Sequence, residues 1–201
     1  MSEKSECSPF SAEGLVAGHH VLDFTNTLAG WGSESPVDSL DDYISLARWS
    51  VDAGVMEPTL ADILVMKASL ESEEAAAALD SARALRTLLH HVFTAFALGE
   101  EPSYDDMESF EAFWRQAIAA HRLAFEGDHI EIRPAAFTSL TIIADLITRD
   151  AVDLMKTMPD KRLHLCANDD CGWLYFAQSP AAEQRFCGGK LCLNGEVGRI
   201  K

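Results

Sequence analysis

CANDDCGWLYFAQSPAAEQRFCGGKLC, residues 166–192, is the stretch that decides how the end of this chain folds. Its cysteines are spaced C-x4-C-x15-C-x4-C. Four thiolates in two short pairs suit the tetrahedral preference of zinc, and four thiolates leave no open position for catalysis. Each short pair sets two sulfurs on one tight turn. The spacer lets the chain run out and back, with Leu174–Phe176 and Arg185-Phe186 as the expected hairpin arms. Asn168, Asp169 and Asp170 in the first turn, and Gly188-Gly189 in the second, give the backbone freedom to wrap an ion. Two disulfides, or an iron–sulfur cluster, are the weaker alternatives for the same four residues. The expectation is one structural zinc on Cys166, Cys171, Cys187 and Cys192. His164 stands two residues before the first ligand and can donate to a thiolate from behind.

Outward from this module, the 201-residue chain has room for one ordinary domain besides it. Cys7, the fifth cysteine, is far away and reads as a thiol without a role. A secreted disulfide scaffold would spread its cysteines more evenly. Met1–Ser8 lacks the basic start and apolar run of a secretory signal, and no segment is apolar enough to span a bilayer. A cytoplasmic protein is expected. The net charge is −16, which taken whole opposes a phosphate backbone. Residues 161–201 carry six Lys/Arg against four Asp/Glu, so this tail is +2 and the remaining 160 residues are −18. Any contact with an anion such as DNA falls to the tail.

The rest reads as helical. His19–Leu28 suits a short helix, broken by Gly30, Gly32 and Pro36. Asp38 or Ser39 is the expected cap of the next, with Asp41 and Asp42 in its first turn and Gly54 as its stop. Another opens at Glu57-Pro58. Residues 71–98 follow with a stripe of Leu85, Leu88, Leu89, Val92, Phe93 and Phe96. Ser103 or Asp105 starts a helix with Met107, Phe110, Phe113, Trp114, Ala117 and Ile118 inside. Arg122–Pro134 alternates apolar and polar around Glu126-Gly127-Asp128, a hairpin signal. Helix returns over 137–157. The expected fold is mainly α, with a helical domain over 1–160 and a small β-hairpin in it. A zinc-bound β-hairpin module of zinc-ribbon or treble-clef type follows over 161–201.

Cys166 to Phe176 resembles the start of the CGNR zinc finger, whose pattern is C-x4-C-G-W-L-F, a polar stretch, Arg-Trp-Cys, four residues and Cys-Gly-Asn-Arg. Gln184-Arg185-Phe186-Cys187 and Cys192 are the counterparts of its second half. Leu22-Asp23-Phe24-Thr25-Asn26-Thr27-Leu28 resembles the LDFvNTL signature of the ABATE domain, which precedes this finger. Ala84-Leu85-Arg86 and Gly99–Pro102 are similar too. The likeness covers residues 19–195. It implies a stress-induced transcription regulator, with a sensing helical domain and a finger on DNA. The sequence departs at Cys192-Leu193-Asn194-Gly195, which lacks the arginine that gives the finger its name. Arg185, Lys190, Arg199 and Lys201 remain as DNA contacts, at most four.

Asp23, Asn26 and Arg86 form a candidate pocket for a small ligand, with an anion on Arg86; the rival reading is an internal polar network with Arg86 opposite Asp23. His19 or His20 with Asp23 is a weaker metal pair, and His90-His91 reads as part of the helical packing. The four tryptophans read as core, with Trp173 packing the finger on the helices. No nucleophile elbow, phosphate loop or His/Glu metalloprotease motif is present, so no enzyme is expected. The leading expectation is a zinc-bearing, regulator-like protein that senses a ligand. The alternative is an interaction or dimerisation module whose finger no longer binds DNA.

Overall fold

The computed structural model describes residues 17–158, 162–177 and 186–188. Cys7, Arg185, Lys190, Cys192, Arg199 and Lys201 lie outside the described residues. Among the described residues six helices and three short antiparallel hairpins follow one another. No helix among them is long and apolar enough to cross a membrane.

Helix α1 (His20–Thr25) is the short first helix, with the His19 ring accepting the Val21 N–H at its start. Leu28–Ala29 (β1) then pairs with Val37–Asp38 (β2), a contact that the Gly30, Gly32 and Pro36 breakers concealed. Helix α2 (Tyr43–Asp52) begins later than expected. Asp42, rather than Asp38 or Ser39, caps it by accepting the Ser45 N–H at 2.7 Å. Asp38 belongs to β2, where a distant arginine claims it. Helix α3 (Pro58–Leu70) opens on its proline, which has no N–H to lose there. Helix α4 (Ser72–Leu98) ends on Gly99 at φ 74°, a left-handed cap that glycine adopts without strain. Ser103 caps α5 (Tyr104–Ala119) through the Asp106 N–H. Strands β3 (His121–Glu126) and β4 (His129–Pro134) form the expected hairpin, joined by Gly127-Asp128. Helix α6 (Ile142–Thr157) starts five residues later than the expected 137.

Helix α4 is the axis of the core. It touches α1, α2, α3, α5 and α6, and Leu85, Leu89, Val92 and Phe93 on it are fully buried. The α5 stripe is only half inside. Phe110 and Ala117 are buried, whereas Met107 and Ile118 are exposed. Ile118 faces the β3–β4 hairpin across an open groove, and Met107 lines a second depression with Val152 and Met155 of α6.

The last hairpin pairs β5 (Leu163–Leu165) with β6 (Leu174–Phe176). Arg185 of the other expected arm lies outside the described residues. Leu163-His164-Leu165, just ahead of the first cysteine, alternates as a strand does and supplies the partner. The C-x4-C turn therefore sits at the tip of the hairpin. Both strands pack on α4, and β6 also packs on α1. Cys166, Trp173, Leu174 and Tyr175 join the same buried cluster as the helices.

Candidate metal centre

Cys166 leaves β5, and Cys171 comes back toward β6 on a turn closed by its own backbone. The Cys171 N–H donates to Asn168 O at 2.9 Å, and Cys166 N–H donates to Trp173 O at 2.8 Å. Asn168 Oδ1 accepts the Asp170 N–H, which holds the exposed acidic pair of the turn away from the sulfurs. Gly172 follows at φ 67°. A Cβ there would stand 2.5 Å from Trp31 Cβ, so only glycine lets Trp31 close on the turn. The sulfurs of Cys166, Cys171 and Cys187 lie within 4.8 Å of one another, and Cys171 and Cys187 are 3.9 Å apart. All three are buried.

These distances fit zinc. Zinc–sulfur bonds of about 2.3 Å in a tetrahedron set the sulfurs about 3.8 Å apart. A disulfide needs contact at about 2.05 Å, far shorter than the 3.9 Å between the Cys171 and Cys187 sulfurs. The proton balance agrees. Hydrogen bonds from the Cys171 and Cys187 thiols draw the Cys166 thiol far down, against the opposing effect of burial. Cys166 and Cys187 in turn push Cys171 up. A divalent ion among them turns that competition into attraction and favours every thiolate.

The knuckle is fastened to the helical body by side chains from the first motif. Asn26 donates from Nδ2 to Leu174 O at 2.8 Å and accepts the Leu174 N–H on Oδ1 at 3.0 Å. Its amide thus pairs with the free backbone edge of β6 as another strand would. Trp31 N–H donates to Cys171 O, and Trp173 Nε1–H donates to Leu28 O. His90, on α4, stacks on Trp31 with ring centroids 3.9 Å apart and donates from Nε2 to Gly172 O at 2.7 Å. Burial pushes the His90 pKa down to about 4, so the ring stays neutral and keeps that donor. His164 stacks on Tyr175 and makes no hydrogen bond to a thiolate among the described residues.

The other sequence candidates are drawn into structural bonds. Arg86 binds Asp38, not Asp23, through two bonds of 2.6 Å, and Thr27 Oγ1 at 3.1 Å. Burial raises the Asp38 pKa, but the bonds from Arg86 and from the Leu40 N–H outweigh it and hold the carboxyl below its usual value. Asp23 accepts the Ala17 N–H. His20 pairs with Asp150 on α6. Among the described residues the cysteine trio is the one metal-ligand cluster.

The sequence model of the ABATE family, described as "Putative stress-induced transcription regulator", matches residues 18–158. The chain belongs to the ABATE family. The model of the CGNR zinc finger matches residues 162–196, which contain the whole four-cysteine pattern. Zinc is therefore the metal of this ABATE protein. Both family descriptions are regulatory or metal-binding rather than enzymatic. No curated protein matches the chain.

Three parts of the site escape a reading of the sequence. Asp38 and Thr27 as partners of Arg86, His90 as a pillar under Gly172, and Asn26 as an edge for β6 all join residues 48 to 148 positions apart. Asn26 and Arg86 lie in the two recognisable ABATE motifs, and that was the available signal.

Proposed function

We propose that the chain is a ligand-responsive regulator in which the zinc knuckle and the helical body act as one unit. Cys192 completes the zinc site with Cys166, Cys171 and Cys187. The observation that carries this reading is the Asn26–Leu174 double bond, seconded by His90–Gly172 and Trp31–Cys171. Because the knuckle is tied to α1 and α4, a change of helix packing reaches the finger without a hinge between them. Zinc supplies a cross-link and no reaction step.

Arg185, Lys190, Arg199 and Lys201 are the DNA contacts in this reading. Four phosphate contacts give a slope of log affinity against log salt no steeper than about −3.6. Fluorescence anisotropy of the zinc-loaded chain with duplex DNA at several salt concentrations tests it. Binding with a slope between about −2 and −3.6 supports DNA contact through these residues. Absence of binding at 50 mM salt moves the function to the alternative, docking on a protein partner or a second copy. The exposed Asp169 and Asp170 at the knuckle tip favour that alternative, since acids there repel a phosphate backbone.

A further inference from the structure

We propose that the groove between α5, α6 and the β3–β4 hairpin is the ligand site of the helical body. Its ligand is a small organic acid whose apolar frame also carries a hydroxyl group. This rests on the ligand-responsive part of the reading above and gives it a place and a chemistry.

The groove has a volume of about 780 Å³, within the usual span for small-molecule sites. One wall is Trp114 and Ile118 of α5; the other is Leu123, Ile130 and Ile132 of the hairpin. The hairpin register explains its apolar side. Leu123 faces Ile132 and Phe125 faces Ile130, so these four project from one face. The opposite face is tied by Arg133 to Glu126 and Glu131. The apolar face is left open, with Leu123 at 67% and Ile132 at 55% exposure. An isolated hairpin rarely leaves such a face to water without a use.

A polar group inside the groove sets the chemistry. His121 follows α5 directly, and its Nδ1 lies 2.6 Å from Ala117 O. A carbonyl oxygen only accepts, so Nδ1 carries a hydrogen, and the tautomer this selects presents a lone pair on Nε2. That Nε2 is buried and has no hydrogen-bond partner, and His121 lines the groove. A buried acceptor of this kind calls for a donor such as a hydroxyl. The rim adds a sign of charge. Residues 17–158 hold nine Lys/Arg against 24 Asp/Glu, yet Arg122, Arg149 and Lys156 all line this groove. Its two acids are already matched, Asp153 by Lys156 and Glu131 by Arg133. Arg122 makes no ion pair among the described residues. Arg149 is paired with Asp150 at 3.6 Å, so the unmatched positive charge is that of Arg122. It suits a carboxylate, and the apolar walls suit the body between the two polar ends.

The test titrates the full zinc-loaded chain with 4-hydroxyphenylacetate, 3-(4-hydroxyphenyl)propionate and 4-(4-hydroxyphenyl)butyrate. These place the hydroxyl and carboxylate at three separations. Tryptophan fluorescence reads binding, and Trp114→Phe removes the reporter. At least one acid is expected to bind saturably. Its analogue without the hydroxyl should bind about ten-fold more weakly, as should tyramine, whose chain ends in an amine. His121→Phe should erase the difference between the hydroxylated acid and its analogue. Should that variant misfold, Ile118→Glu, at a position 52% exposed, serves as well: it puts a negative charge in the groove and should abolish binding with the circular dichroism unchanged. Equal affinity with and without the hydroxyl overturns the proposal, and so does the lack of any saturable change. A dimer that buries the hairpin face and is lost in Leu123→Glu overturns it too. None of these outcomes bears on DNA binding by the ligand-free chain, so a failure here is separable from a failure of the regulator reading.

Discussion

Replacing Asn26 with leucine isolates the bond between the helical body and the finger. The side chain is 2% exposed and nearly the same size as leucine, so the change leaves little cavity. What it removes is a pair of hydrogen bonds, of 2.8 and 3.0 Å, to the backbone of Leu174. Leu174 is fully buried, so neither its N–H nor its C=O can turn to water. Each stranded group costs about 1–3 kcal/mol, and leucine gains back a fraction through apolar burial, so a net loss of about 3 kcal/mol is expected. For a domain of this size that is a fall in Tm of about 6–12 °C. Leu174 is three residues beyond Cys171, so the knuckle should loosen as well. Chemical denaturation with zinc present measures the first effect, and the rate of zinc transfer to a chromogenic chelator measures the second. A stability loss under 1 kcal/mol with unchanged zinc release would refute the reasoning, because it would mean that β6 holds its place without α1.

Gly32→Ala puts a Cβ against Asp169 O in the knuckle, a backbone atom that cannot swing aside; about 2 kcal/mol of destabilisation and faster zinc release are expected in the same two assays. Gly54→Ala is its control, since that glycine has open space and only its φ of 69° to lose, about 1 kcal/mol with no effect on zinc. Arg86→Met takes the guanidinium from Asp38 and Thr27, leaving Asp38 with the Leu40 N–H and Arg83, and should cost about 2 kcal/mol in denaturation, whereas a neutral result would dismiss the Arg86–Asp38 pair as a structural tie. His90 has a folded pKa near 4 against 6.5 when free, so the unfolded chain binds the extra proton between these values. Its contribution is intact above pH 6.5 and falls by about 3 kcal/mol on the way to pH 4. His90→Gln, whose amide can still donate to Gly172 O, should flatten that part of the stability–pH curve relative to the parent chain.

Helix boundaries set by strong local signals were legible in the sequence. Pro58 at a helix start, Ser103 as a cap and Gly99 as a stop act within one turn, and the structure has all three. Asp38, Ser39, Asp41 and Asp42 were ambiguous for the same reason. Any of them can cap locally, and Arg86, 48 residues away, claims Asp38 and leaves the cap to Asp42. The pairing of β6 with Leu163–Leu165 was not legible, because a run of three residues is too short to stand out by pattern. The zinc site itself was legible because thiolate chemistry is local to each C-x4-C. Its attachment to α1 and α4 was not, because an amide that imitates a strand edge leaves no periodic trace. The open hairpin face reads as an ordinary alternation, and only the structure shows that nothing packs on it among the described residues.

The central claim is that a single zinc closes the finger. Native mass spectrometry of the chain, purified without chelator, tests it most directly. The account predicts one zinc per chain with all four finger thiols deprotonated to it, and release of that zinc with a large fall in Tm after Cys171→Ser. A metal-free chain four hydrogens lighter, the mark of two disulfides, would contradict it, as would an iron–sulfur mass.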